Sequence, residues 1–90
     1  MIYKTDVGDI DLSKVIRLYP AVVIESGGDV AQMSLEWAEL NMDKVNVLSY
    51  VLVFDFTQPA QSEREKKELH FASKDELIEA INEVAQFFQN

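Results

Sequence analysis

Gly27-Gly28 separates two runs of alternating apolar residues, Leu18 to Glu25 and Val30 to Trp37, and this arrangement limits the fold more than any other feature of the chain. Glycine takes positive φ without steric cost, so a two-residue Gly-Gly loop suits a type I′ or II′ hairpin turn. Closing the strands around it sets Ile24 opposite Ala31, Val22 opposite Met33, Pro20 opposite Leu35 and Leu18 opposite Trp37. These apolar pairs share one face. The other face sets Glu25 opposite Val30, Val23 opposite Gln32, Ala21 opposite Ser34 and Tyr19 opposite Glu36. A slip of one residue would scramble the sorting, so the register is strongly specified. Pro20 lacks an N–H, which places its strand near a sheet edge. A competing reading takes 30–40 as a helix with an Asp29–Gln32 capping box, giving a mixed α/β two-layer sandwich. That helix would push Ser34 and Glu39 into its apolar face, and the strand reading has no such conflict.

Val45 to Phe56 is the most β-prone stretch, rich in β-branched and aromatic residues. Simple alternation sends Val45, Val47, Val51 and Val53 one way and Leu48, Tyr50, Leu52, Phe54 and Phe56 the other. Both faces are apolar, which marks an interior strand covered on two sides. The chain opens with a short edge strand, Ile2 to Thr5. Asp6 to Asp11 follows as an acidic loop whose spacing fails the calcium-loop pattern, with Gly8 between the acids and no Glu before Glu25. Asn41 to Lys44 makes a turn, and Thr57 to Lys67 a mobile, solvated connection with no apolar anchor after Ala60. Glu68 to Ala72 is a last strand. Ser73 and Glu76 then form a capping box for a helix over 74–88. Leu77, Ile78, Ala80, Ile81, Val84, Ala85, Phe87 and Phe88 fill half of its wheel; Glu76, Glu79, Asn82, Glu83, Gln86 and Gln89 fill the rest.

These elements predict one α+β domain over residues 1–90: an antiparallel sheet of about five strands (hairpin 18–37, central strand 45–56) with the C-terminal amphipathic helix packed on one face. In element order alone this resembles the pleckstrin-homology-like superfold, a likeness that implies no function.

Chemistry is sparse. The chain has no cysteine, which excludes disulfides, thiol catalysis and thiolate metal sites. His70 is the single histidine, turned outward between Leu69 and Phe71, with Ser49 and Asp55 on a neighbouring strand but no nucleophile elbow or oxyanion loop. The glycine pair lacks the spacing of a phosphate loop. No catalytic residue, cofactor or metal site is expected. A net charge of −8 opposes nucleic acid and anionic lipid. The first residues lack a signal-peptide core and no apolar run reaches membrane length, so the expectation is a cytoplasmic protein.

One feature asks for a partner. The central strand needs cover on both faces, and the sequence offers one good amphipathic helix. Either the sheet curls into a barrel, or a second chain supplies the missing layer through Tyr19, Val23, Val30, Val47 and Val51. The leading expectation is therefore a small acidic interaction or accessory module, non-catalytic and homodimeric. Two alternatives are a small-ligand-binding domain with a pocket near Trp37, Tyr50 and His70, and an acidic inhibitor of a basic partner.

Overall fold

The computed structural model describes residues 1–88, so Gln89 lies outside the described residues. The fold is α+β, built on two antiparallel sheets. Strands β1 (Ile2–Thr5) and β2 (Gly8–Asp11) pair with each other, and a 3-10 turn at Leu12–Lys14 follows. The larger sheet contains β3 (Arg17–Ser26), β4 (Asp29–Ser34), β5 (Asn46–Asp55) and β6 (Lys66–Phe71) in the order β4-β3-β5-β6. Helix α1 (Leu35–Leu40) leaves the end of β4, and helix α2 (Lys74–Phe87) follows β6. The acidic segment expected to be a loop is largely strand β2. Ile10, almost fully buried there, is the apolar anchor that holds it.

The Gly-Gly hairpin forms in the expected register, from Ser26↔Asp29 to Ala21↔Ser34. Gly27 and Gly28 both have positive φ, 59° and 87°, as a type I′ turn requires. The ladder stops at Ser34, however, so the pairs Pro20–Leu35, Tyr19–Glu36 and Leu18–Trp37 do not form. Neither a strand to Trp37 nor a helix over 30–40 describes this segment. Ser34 decides the switch: its side chain accepts from the Trp37 backbone N–H at 3.1 Å as a helix N-cap. Starting the helix there keeps Ser34 out of the apolar face. Leu35, Trp37 and Ala38 can then pack on Val22 and Ile24. Pro20 is consequently not on an edge strand. β3 is interior, but β4 ends one residue short of Pro20, which leaves the proline at a local gap in the sheet.

Strand β5 contains one extra residue. Val23 pairs with Ser49 and Ile24 with Val47, so Leu48 is left over as a bulge, 52% exposed. The bulge reverses the alternation before it. Val47 therefore lies with Val22, Ile24 and Tyr50 on the helix-covered face, not with Val51. On that face Leu52, Phe54 and Leu69 pack against Ile10, Leu12, Leu77, Ala80 and Val84. Tyr3 ties the N-terminal hairpin into this layer. Its ring lies 6.3 Å from that of Phe54 and 6.0 Å from that of Phe87, and its hydroxyl donates to Glu83. Partial burial and the Glu83 carboxylate push the Tyr3 hydroxyl up to about 12.

Among the described residues no helix covers the opposite face, yet Val51 and Val53 are 0% exposed and Ala21 3%. The sheet itself buries them. Gln32 on edge strand β4 donates to Glu68 on edge strand β6 at 3.0 Å, although two strands intervene. In a flat sheet those edges would stand about 14 Å apart. The sheet must therefore coil until its edges approach; on the same face Lys66 Nζ of β6 reaches across β5 and donates to the Tyr19 hydroxyl of β3 at 2.9 Å. The connection between β5 and β6 is also more ordered than expected. Phe56 N–H donates to the Glu65 carbonyl and Glu65 N–H to Thr57 Oγ1, and β6 begins at Lys66.

Only part of the apolar half-wheel of α2 is buried. Leu77, Ala80 and Val84 are inside, whereas Ile78 and Phe88 are exposed. Leu77→Ala should accordingly cost about 2–5 kcal/mol, and Ile78→Ala less than about 1 kcal/mol. Ser73 accepts from the Glu76 N–H at 3.2 Å, so Ser73→Ala should cost about 1 kcal/mol. Urea denaturation of the three variants checks this order. Equal losses at Leu77 and Ile78 would contradict the packing.

Candidate functional site

The residues expected to form a pocket are divided between the two faces of the sheet. Trp37 and Tyr50 lie on the helix-covered face, packed with Val22 and Ile24. His70 pairs with Val51 and is exposed on the coiled, helix-free face. Of the expected interface residues, Tyr19 and Val23 are half-buried against Val51 and Val53, Val51 has no exposed surface, and Val47 belongs to the other face. Only Val30, 63% exposed on β4, presents a free apolar side chain.

His70 does meet two polar partners. Its Nδ1 lies 3.0 Å from Ser49 Oγ, and its Nε2 lies 3.4 Å from Glu68 Oε1. Residues 68 and 70 share a strand face by period-two alternation, and Ser49 lies diagonally across on β5. The chain Ser49–His70–Glu68–Gln32 therefore runs across the coiled face. A hydrolytic triad uses the two ring nitrogens in the opposite sense, with the carboxylate on Nδ1 and serine on Nε2. The His70 side chain is also half-exposed, and both helices lie on the other face. Among the described residues, no helix N-terminus offers N–H groups beside Ser49 for an oxyanion. The chemistry available is a hydrogen-bonded bridge across the sheet.

A second polar group sits at the end of the sheet where β3 begins and β5 ends. Asp55 is the one buried charged residue among those described. Its Oδ1 accepts the Thr57 backbone N–H at 2.9 Å, and its Oδ2 lies 3.5 Å from Arg17 Nε. The Arg17 guanidinium and Lys66 Nζ lie 5.3 and 5.6 Å from the centroid of the Tyr19 ring. No sequence spacing announced this group, because Arg17, Asp55 and Lys66 meet only through the β3–β5–β6 register. Among the described residues, no group of three or more acidic or histidine side chains is placed to hold a metal ion.

The hydrogen bond from Thr57, with further help from Arg17, holds the Asp55 carboxyl below the usual carboxylate range. Asp55 thus stays ionised to lower pH in the folded chain than in the unfolded one. Its stabilising contribution is complete above the unfolded value, about 4, and drains away as the pH falls through the folded value. Asp11 is lowered as well, by Ser13, and shares in this acid sensitivity. Asp55→Asn should therefore be less stable than wild type at pH 7 and lose less stability on acidification to pH 3. Urea midpoints at both pH values test this. An unchanged pH slope in the variant would remove Asp55 from the linkage.

No helix among the described residues is long and apolar enough to cross a membrane. Compared with known proteins, the chain matches no family model, no curated protein and no solved structure.

Proposed function

We propose that the protein is a small non-catalytic interaction module that associates through the free edge of β4, in the first instance with a second copy of itself. The observation that supports this reading is the contrast between the two edges of the large sheet. β6 carries Lys66, Lys67, Glu68 and His70, and Lys67 Nζ reaches the carbonyl of Asp9 in the N-terminal hairpin. Charge and a covering hairpin are ordinary protections against strand addition. β4, Asp-Val-Ala-Gln-Met-Ser, has neither. It is exposed along nearly its whole length, with its only charge at the first residue and no proline.

The two most exposed large apolar side chains, Val30 at 63% and Leu40 at 82%, lie on β4 and at the end of the helix that follows it. A two-fold axis beside β4 would pair the strand with its own copy and join two four-stranded sheets into one. About six new strand hydrogen bonds at about 1 kcal/mol each fall short of the roughly 8 kcal/mol of a micromolar dimer. Apolar burial around Val30 and Leu40 must supply the difference, and the expected dimer is micromolar or weaker. This replaces the sheet-face dimer, because Tyr19, Val23 and Val51 are packed within the coil of the sheet and Val47 lies on the other face. The acidic surface suits solubility.

Sedimentation equilibrium from micromolar to near-millimolar protein tests the reading. Wild type should associate reversibly, and Ala31→Lys, which places a charge on an exposed edge position, should stay monomeric with an unchanged melting temperature. A wild type that remains monomeric at near-millimolar concentration, or an Ala31→Lys variant that associates equally, would overturn it.

A further inference from the structure

The chain has only two arginines, Arg17 and Arg64, 47 positions apart, and both line one open cavity of about 370 Å³. The cavity lies between the start of β3 and the β5–β6 connection, at the far end of the molecule from the Gly-Gly turn. Its one acidic wall residue, Asp55, accepts Thr57 N–H on Oδ1 and faces Arg17 Nε at 3.5 Å with Oδ2. That contact leaves the two terminal nitrogens of Arg17 unengaged, and the Tyr19 ring beside the guanidinium helps to fix its direction. A carboxylate behind an arginine and a ring beside it commonly aim the guanidinium fork at an anion. Arg64 makes no ion pair among the described residues. Thr57, Gln58 and Ser62 add neutral polar groups to the lining, and Lys14 lines an adjoining cavity. Glu65 faces that neighbouring cavity, where its carboxylate accepts from Gln61 Nε2.

We infer that this cavity is a binding site for a small oxyanion group, a phosphate or a carboxylate, held between the guanidinium groups of Arg17 and Arg64. On a chain of net charge −8, a cavity lined by both arginines and by one acid, itself ion-paired to Arg17, carries a local excess of positive charge. The oxyanion is held bidentately by Arg17, whose fork is already oriented. Arg64, arriving from the connection, closes on its other side. This site is separate from the β4 edge and does not depend on association there.

Titrations of the full chain with inorganic phosphate, with glutarate, and with sodium chloride at matched ionic strength, followed by amide and arginine side-chain NMR shifts, test the inference. Shifts at Ile16, Arg17 and Thr57 to Arg64 should saturate with phosphate, with glutarate or with both, and not with chloride; the anion that saturates names the source of the group. Arg64→Gln should weaken that binding about tenfold or more while leaving the fold intact, since Arg64 lies in a connection without an ion pair. Lys44→Gln, at the opposite end of β5, removes the same charge and should leave binding unchanged. Absence of saturation with either oxyanion, undiminished binding by Arg64→Gln, or equal weakening by Lys44→Gln would each overturn the site.

Discussion

The structure depends on β5 being buried on both faces while only one face receives helices. Val51 and Val53 point away from α1 and α2, and burying such a side chain fully is worth about 1.5–3 kcal/mol. The sheet obtains that burial by coiling. The Leu48 bulge helps, because an extra residue in one strand sharpens the local twist. Once the sheet coils, its edge strands come within side-chain reach, and the Gln32–Glu68 and Lys66–Tyr19 hydrogen bonds close over the valines. The other face is then free to receive a continuous layer made of the N-terminal hairpin, α1 and α2.

Much of this was legible from residue order. The β3–β4 register followed from apolar pairing around two glycines, and the capping box of α2 followed from Ser73 and Glu76. Three features were not legible, each for a physical reason. Period-two alternation cannot reveal a bulge, so it puts Val47, which precedes Leu48 in β5, on the wrong face. The end of β4 turned on a single serine whose hydroxyl caps the next helix, a local hydrogen bond that outweighs a strand pattern continuing to Trp37. Ile10 alone, among acids and glycine, was too small a signal to announce β2.

The polar groups were harder to read, because they are assembled by register rather than by spacing. His70 was recognised as outward-facing, and Ser49 as a neighbour, but the bridge through Glu68 to Gln32 needs the coil of the sheet. Arg17, Asp55 and Arg64 come from three separate stretches and meet where β3 begins and β5 ends. Net charge describes the average surface and gives no sign that the two arginines share one cavity. The same coil takes up Tyr19, Val23 and Val51, three of the residues expected at a dimer face, and leaves β4 as an exposed edge.

The central claim is that the sheet closes over its own valines, and nuclear Overhauser contacts across that face test it most directly. Measured on dilute protein, the Gln32 side-chain amide should show contacts to the Glu68 methylenes. The Val51 and Val53 methyl groups should be as protected from a soluble paramagnetic probe as those of Val22, while the Val30 methyls broaden strongly. Broadened Val51 and Val53 methyls, with no contact between residues 32 and 68, would show an open sheet and contradict the account.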